Sequence, residues 1–123
     1  IVLLGDAAGY NDPITGQGLA VTLRDVRIVS ELLLGAAEWN AELFAPYAEE
    51  RRERMHRLRM AAAMDSIVHA EFGPEATARK MRVITQAAGD PAIGMARVSA
   101  MVGPELLPAE AFSDDALEAV RNA

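Results

Sequence analysis

The residues best suited to chemistry lie together near the start of the chain, in residues 3–18, which read LLGDAAGYNDPITGQG. An apolar run ends at Gly5 and Asp6, a turn-rich loop follows, and Gly18 opens a long amphipathic pattern. This order brings one carboxylate and several backbone N–H groups into a small volume. Because a helix N-terminus offers unpaired N–H donors and the positive end of a dipole, the stretch favours an anionic or electron-rich ligand.

The same stretch resembles the second FAD-binding motif of the flavoprotein aromatic hydroxylases, which are single-component FAD-dependent monooxygenases. Several spaced positions agree at once, so the resemblance is more specific than a lone glycine triplet. The matching positions are Gly5-Asp6-Ala7-Ala8, Pro13, Gly16-Gln17-Gly18 and Asp25-Val26. Two positions depart from the commonest version of the motif, because Gly9 stands where His is frequent and Ala20 stands where Asn is frequent.

The resemblance implies a role for each matched residue. The Asp6 carboxylate is expected to accept hydrogen bonds from the ribityl hydroxyls of FAD, since an ionised carboxylate is acceptor-only. Pro13 is expected to lie against the isoalloxazine ring, and residues 16–19 to present backbone N–H groups to the N1–C2 carbonyl edge of the flavin. The expected FAD-binding residues are Gly5, Asp6, Pro13, Gly16, Gln17, Gly18 and Leu19.

Each of these residues also has an interpretation that needs no ligand. Asp6 could cap a turn, and the two glycines around Gln17 could serve only a turn and a helix start. Asp25 lies in mid-helix beside Arg24 and Arg27, which favours a surface charge pattern over a role in a site. Only the joint pattern indicates FAD.

The composition predicts a folded protein and excludes several classes of site. Of the 123 residues, 51% are hydrophobic and 24% are charged, which is enough for a modest core. The absence of cysteine excludes disulfides, cysteine-based metal sites and a cysteine nucleophile. His56 and His69 lack a metal-ligand spacing and are expected on helix surfaces. The net charge of −6 argues against general nucleic-acid binding.

A locally basic segment, residues 49–59, alternates arginine with glutamate. Glu50 precedes Arg54, and Glu53 precedes Arg57, by one helical turn, which predicts a solvated helix face with ion pairs. An arginine of this segment could instead reach the FAD pyrophosphate or a neighbouring domain, but nothing in the sequence selects one.

The pattern of apolar residues predicts a mostly α fold with one N-terminal strand followed by about five helices. The strand is the apolar run at residues 1–4, and the helices are expected near 17–34, 38–71, 75–88, 91–102 and 113–122. Together with the resemblance, this indicates a fragment of a larger α/β FAD-binding (Rossmann-like) monooxygenase fold. Residues 1–35 would form the second FAD motif, and residues 36–123 a helical region that packs on the FAD domain.

The spacing also predicts which helix faces are buried, and Pro46 should either begin a helix or kink one. Methionines of the second helix are expected to fill the core rather than form a site. The expected apolar stripes are Leu19, Leu23, Val26, Val29 and Leu33 in the first helix, Trp39, Leu43 and Tyr47 in the second, and Ala76, Met81, Ile84 and Ala88 in the third, with Met55, Met60 and Met64 as core filler.

For the intact enzyme, the resemblance implies that NAD(P)H reduces FAD and that oxygen activated on the flavin hydroxylates an organic, typically aromatic, substrate. The missing partners would be the rest of the FAD domain and the substrate domain, since no G-x-G-x-x-G is present. The isolated chain is expected to be inactive, and it contains no expected catalytic residue. The alternatives are a fragment of a related FAD oxidoreductase, such as a halogenase or reductase, and a non-catalytic helical interaction module that self-associates.

No hydrophobic run approaches the roughly 20 residues needed to span a membrane, and no signal peptide is visible. A cytoplasmic protein without a membrane partner is therefore expected.

Overall fold

A computed structural model describes residues 1–90, 93–94, 98 and 102–123 of the chain. The helices whose bounds it gives are α1 (Gly18–Gly35), α2 (Ala45–His69), α3 (Pro74–Gln86) and α4 (Asp114–Asn122). Short 3-10 turns lie at Gly5–Ala8, Pro13–Thr15, Glu42–Phe44, Pro104–Leu106 and Ala109–Phe112. The mostly α prediction is confirmed, whereas the helix predicted near 91–102 falls mainly outside the described residues.

The predicted N-terminal strand is wrong. Residues 1–4 have no regular structure, and the described part of the chain contains no β-strand. A strand needs a neighbour that pairs its backbone groups, and the described residues supply no such strand. A side chain holds the segment instead, because the Tyr47 hydroxyl on α2 donates a 2.9 Å hydrogen bond to the carbonyl of Leu3.

Helix α1 begins and ends within one residue of its predicted bounds, but it buries a different face. Its buried side chains are Val21, Asp25 and Val29, whereas the expected core residues Leu19 and Leu23 are 72% and 61% exposed. The predicted apolar stripe is therefore wrong at Leu19, Leu23 and Val26, but it is right at Val29, which is buried. Both faces repeat every four residues, and the contacts of Asp25 with α2 decide which of them turns inward.

Helix α2 settles the question of Pro46, which lies in the first turn of the helix and does not kink it. A proline is well tolerated there, because its missing N–H would have no helical partner. The predicted role of the methionines is confirmed, since Met55 and Met64 are buried and Met60 packs partly against the core. The helix begins at Ala45 rather than near residue 38, so Trp39 precedes it and is exposed, contrary to the prediction. Tyr47, from the same predicted stripe, is buried on α2.

The main core lies between α2, α3, α4 and the turn at Ala109–Phe112. Its largest fully buried side chains are Phe112, Met64, Val83 and Val120. Helix α3 contributes Val83 rather than the expected Met81 and Ile84, which are exposed. A second, smaller cluster of Val21, Met55 and Leu58 joins α1 to α2.

Helix α4 starts where the sequence predicts. The Ser113 side chain accepts a 3.2 Å hydrogen bond from the N–H of Ala116, which satisfies one of the unpaired donors of the first turn. Among the helices that the structure describes, none combines the length and the apolar character that a bilayer crossing needs.

Two phenylalanines test the position of the core. Phe112 is 1% exposed, and Phe72 is 93% exposed. We expect Phe112→Ala to lower the free energy of unfolding by about 3 kcal/mol or more, because it leaves a cavity, and Phe72→Ala to change it by less than about 0.5 kcal/mol. Urea denaturation followed by circular dichroism measures both. Equal losses in the two variants would contradict this assignment of the core.

Candidate functional site

Residues 5–9, named here the glycine loop, form the first part of the site. The loop begins and ends with glycines of positive φ, +56° at Gly5 and +128° at Gly9, a region that favours glycine. A Cβ atom at Gly5 would lie 2.7 Å from Oγ1 of Thr22 on α1. The loop therefore packs directly against α1, and a side chain at Gly5 would prevent that approach.

Asp25 of α1 lies behind the glycine loop and is fully buried, with 0% exposure. Its Oδ2 accepts hydrogen bonds from the N–H of Gly5 and from Nε of Arg51, both at 2.9 Å, and its Oδ1 accepts one from Nη2 of Arg54 at 2.6 Å. The prediction that Asp25 belongs to a surface charge pattern is wrong. The signal that could have found it is a pair of arginines three residues apart on the next helix.

Arg51 of α2 extends from Asp25 into the glycine loop and is itself buried. Its Nη2 donates to the carbonyls of Gly5, at 2.8 Å, and Gly9, at 3.3 Å, while its Nη1 donates to the carbonyl of Ala8 at 3.0 Å. One guanidinium thus binds three loop carbonyls and one carboxylate, which uses the fork of five N–H donors that only arginine has.

Arg54 links the buried Asp25 to charged side chains nearer the surface. It pairs with Asp25 and, at 3.0 Å, with Glu50, which in turn lies 2.8 Å from Arg24 of α1. We call Asp25, Arg51, Arg54 and Glu50 the anchoring network. The predicted ion pairs Glu50–Arg54 and Glu53–Arg57 are confirmed, but the prediction of a wholly solvated face is wrong because Arg51 and Arg54 are buried.

The network controls the ionisation of two buried groups. Burial alone would raise the pKa of Asp25, but hydrogen bonds from Arg54, Arg51 and the Gly5 N–H outweigh it, so the pKa lies below its ordinary value. Burial, followed by the negative charge of Asp25, raises the pKa of Tyr47. The raised pKa favours the protonated hydroxyl, which donates the hydrogen bond to the N-terminal segment.

The second part of the site is the loop that leads into α1. Asp12 accepts a 2.9 Å hydrogen bond from the N–H of Ile14 and so caps a 3-10 turn that starts at Pro13. Gly16 ends the turn in the left-handed region, with φ at +65°, and its N–H donates to the Pro13 carbonyl at 2.9 Å. Pro13 and Gly16 are exposed, and Gln17 is half-buried.

The start of α1 is the third part. Its first α-helical hydrogen bond at this end runs from the N–H of Val21 to the carbonyl of Gln17, at 2.9 Å. Gly18, Leu19 and Ala20 come before Val21, so their N–H groups lie ahead of the first α-helical hydrogen bond. All three residues are exposed. An 18-residue helix places the positive end of its dipole here.

The structure thus places the predicted residues on two loops that adjoin the first turns of α1 and on the start of that helix. Gly5 and Asp6 lie on the glycine loop against α1, and the exposed Asp6 side chain has no hydrogen-bond partner among the described residues. Pro13 and residues 16–19 lie on the loop that enters the same helix. His56 and His69 are exposed, and the described residues hold no group of three or more metal-ligating side chains.

The family model for squalene epoxidase matches residues 1–69, which include the glycine loop, the second loop, α1 and α2. The chain belongs to the squalene epoxidase family. It is also similar to the ubiquinone hydroxylase UbiL of Rhodospirillum rubrum, with 33% identity over 89 residues, which is 68% of this chain and 21% of that protein. No solved structure gives a significant match.

The matching family is named for an epoxidation and the similar protein for a hydroxylation. Each of these reactions adds an oxygen atom to a substrate. The expected monooxygenase type is therefore supported. The chain spans about a fifth of the length of the curated relative. The role of residues 5–19 as an FAD motif, and the aromatic nature of the substrate, stay predictions.

The buried carboxylate gives a sharp test of the network. Asp25→Asn removes the charge that balances Arg51 and Arg54, and we expect it to lower the free energy of unfolding by about 3 kcal/mol or more. The matched control is Glu53→Gln, because Glu53 also pairs with an arginine of α2 but its side chain is 54% exposed. A loss of about 0.5 kcal/mol or less is expected there. Urea unfolding that gave similar losses for both would contradict the assignment.

The lowered pKa of Asp25 predicts the sign of the pH dependence. The folded protein keeps this carboxyl ionised at pH values below 3.8, the pKa of the unfolded state. The resulting stabilisation is therefore complete above about pH 5, and it is lost as the pH falls through the pKa of the folded state. We expect the difference in urea midpoint between the native sequence and Asp25→Asn to shrink from pH 7 to pH 3. Glu105, whose pKa is also lowered, is present in both proteins and cancels from the difference. A difference that stayed constant would count against the mechanism.

Proposed function

We propose that this chain supplies the flavin side of an FAD-dependent monooxygenase, which uses NAD(P)H and oxygen to hydroxylate or epoxidise an organic substrate. In this proposal Asp6 holds the ribityl chain of FAD. Pro13 and residues 16–19 adjoin the edge of the isoalloxazine ring. The family match supports the proposal because it spans all of these residues.

The observation that carries the proposal is the contrast between the two sides of the glycine loop. On the inner side, Asp25 accepts a hydrogen bond from the Gly5 N–H. Arg51 donates hydrogen bonds to the carbonyls of Gly5, Ala8 and Gly9. The outer side carries the exposed Asp6 carboxylate, whose oxygens can accept hydrogen bonds from two hydroxyls. A backbone held by four hydrogen bonds, behind a carboxylate without a partner among the described residues, is suited to a polyhydroxylated ligand.

The entrance of α1 fits the other end of the same ligand. Gly16 and Gly18 carry no side chain, and neither would place a Cβ within 4 Å of another atom, so a flat ring has room to approach the backbone. The exposed N–H groups at the helix start would face the edge that becomes negative on reduction. Bound FAD would supply the redox chemistry, and these residues would bind it, orient it and stabilise negative charge.

A second proposal concerns partners. Helix α1 exposes a continuous apolar stripe of Leu19, Leu23 and Val26, and Ile1 and Leu3 are exposed beside the loop. Exposed apolar patches of this kind mark interaction surfaces. We propose that the remaining FAD and substrate domains cover them in the intact enzyme. Self-association of the chain through the same surface is the alternative, and sedimentation would detect it.

Removal of one charge tests the flavin site. Asp6→Asn keeps the shape of the side chain but weakens its acceptor strength, and we expect FAD affinity to fall about 10-fold or more in the natural protein that contains this sequence. The matched control is Asp115→Asn, an exposed aspartate at the start of α4. Flavin fluorescence titration measures both affinities.

An unchanged affinity in Asp6→Asn, or a native protein that does not bind FAD, would refute the proposal. A halogenase or reductase that shares the loop would also bind FAD. Oxygen consumption coupled to an oxygenated product separates the monooxygenase from these alternatives.

A further inference from the structure

Arg51 has no role in the flavin contacts proposed above, although it donates three hydrogen bonds to carbonyls of the glycine loop. We infer that Arg51 is a positioning residue for the flavin site, which fixes the Asp6 carboxylate relative to the start of α1 by binding three carbonyls of the loop. The inference rests on the proposed function and assigns a role to a residue that contacts no ligand.

The hydrogen bonds of Arg51 determine how the peptide groups of the loop are oriented. The carbonyls of Gly5 and Gly9 both point to Nη2, and that of Ala8 points to Nη1. In a trans peptide the N–H points away from the carbonyl, and the described residues contain no cis peptide bond. The N–H groups of Asp6 and Tyr10 are therefore directed away from the guanidinium, and the Asp6 side chain projects from a backbone that cannot rotate freely.

Asp25 connects this arrangement to α1. Its Oδ2 binds both Arg51 and the N–H of Gly5, so that the loop, the arginine and the helix share one carboxylate oxygen. Asp25 lies two turns along the helix whose start, at Gly18, is proposed to face the flavin ring. The ribityl acceptor and the N–H donors thus belong to one rigid unit, and that unit depends on Arg51.

Lysine cannot reproduce these contacts. Its ammonium is a compact charge without the planar fork, so it can keep an ion pair with Asp25 but cannot bind three separated carbonyls at the same time. Arg51→Lys therefore preserves charge while loosening the loop.

Arg57 provides a matched control on the same helix. It too donates to backbone carbonyls, of Pro104 at 3.2 Å and Leu107 at 2.9 Å, and pairs with Glu53. Its guanidinium carbon lies 5.4 Å from the centre of the Phe112 ring. Arg57→Lys removes similar interactions at a segment that contributes nothing to the proposed flavin site.

The experiment compares Arg51→Lys and Arg57→Lys by urea stability, by amide hydrogen exchange at Gly5 and Gly9, and by FAD affinity. We expect both to lose stability, but only Arg51→Lys to accelerate exchange at these two amides and to weaken FAD affinity about 10-fold. Similar losses of FAD affinity in both variants, or unchanged exchange in Arg51→Lys, would overturn the inference. If Arg51→Lys is too unstable, the same readouts are taken for both variants in a stabilising osmolyte.

A double-substitution cycle separates positioning from general stability. If Arg51 acts through the placement of Asp6, Arg51→Lys should weaken FAD affinity much less in an Asp6→Asn background than in the native sequence. Fully additive effects would overturn the inference. A native protein that fails to bind FAD would refute the proposed function itself, whereas native binding that Arg51→Lys leaves intact would refute only the role of Arg51.

Discussion

The structure depends on one buried carboxylate. Asp25 is fully enclosed between α1, α2 and the glycine loop, where an unpaired charge would cost several kcal/mol. Three donors satisfy it: the guanidinium groups of Arg51 and Arg54 on α2, and the N–H of Gly5 in the glycine loop. Because the three donors must meet at one carboxylate, Asp25 fixes the positions of the two helices and the loop relative to one another.

Side chains of α2 make the hydrogen bonds to the N-terminal backbone that a neighbouring β-strand would otherwise make. An extended N-terminal segment and the turn after it expose backbone donors and acceptors that need partners. Here side chains of α2 provide them: Tyr47 binds the carbonyl of Leu3, Arg51 binds three carbonyls of the glycine loop, and Arg59 reaches the carbonyl of Tyr10 at 3.4 Å. Helix α2 therefore holds the N-terminal residues along one side without any strand pairing among the described residues.

Local signals in the sequence predicted the local structure well. Ser113 marked a helix start because capping acts within one turn, and the ends of α1 were within one residue. Pro46 left two interpretations open, and the second helix begins at Ala45 instead of near residue 38 as predicted. The buried faces of α1 and α3 were not predictable in this way, because two faces of each helix carry apolar residues at helical spacing. Asp25 looked like a surface residue beside Arg24, since its true partners lie 26 and 29 residues away. Which residues pair at that distance depends on how the helices pack, and local patterns in a single sequence do not show it.

In the site too, some residues could be found from local sequence and others could not. The glycines and the exposed Asp6 were singled out by their resemblance to a motif, and their part in FAD binding stays a prediction. The side chains that hold the loop were not, because any buried donor of the right reach could have served. This division has a physical consequence: Asp6 can change without disturbing the buried charges, whereas a change at Asp25 or Arg51 alters stability and loop geometry together. Substitutions in the anchoring network must therefore be judged by ligand affinity relative to stability, and not by either quantity alone.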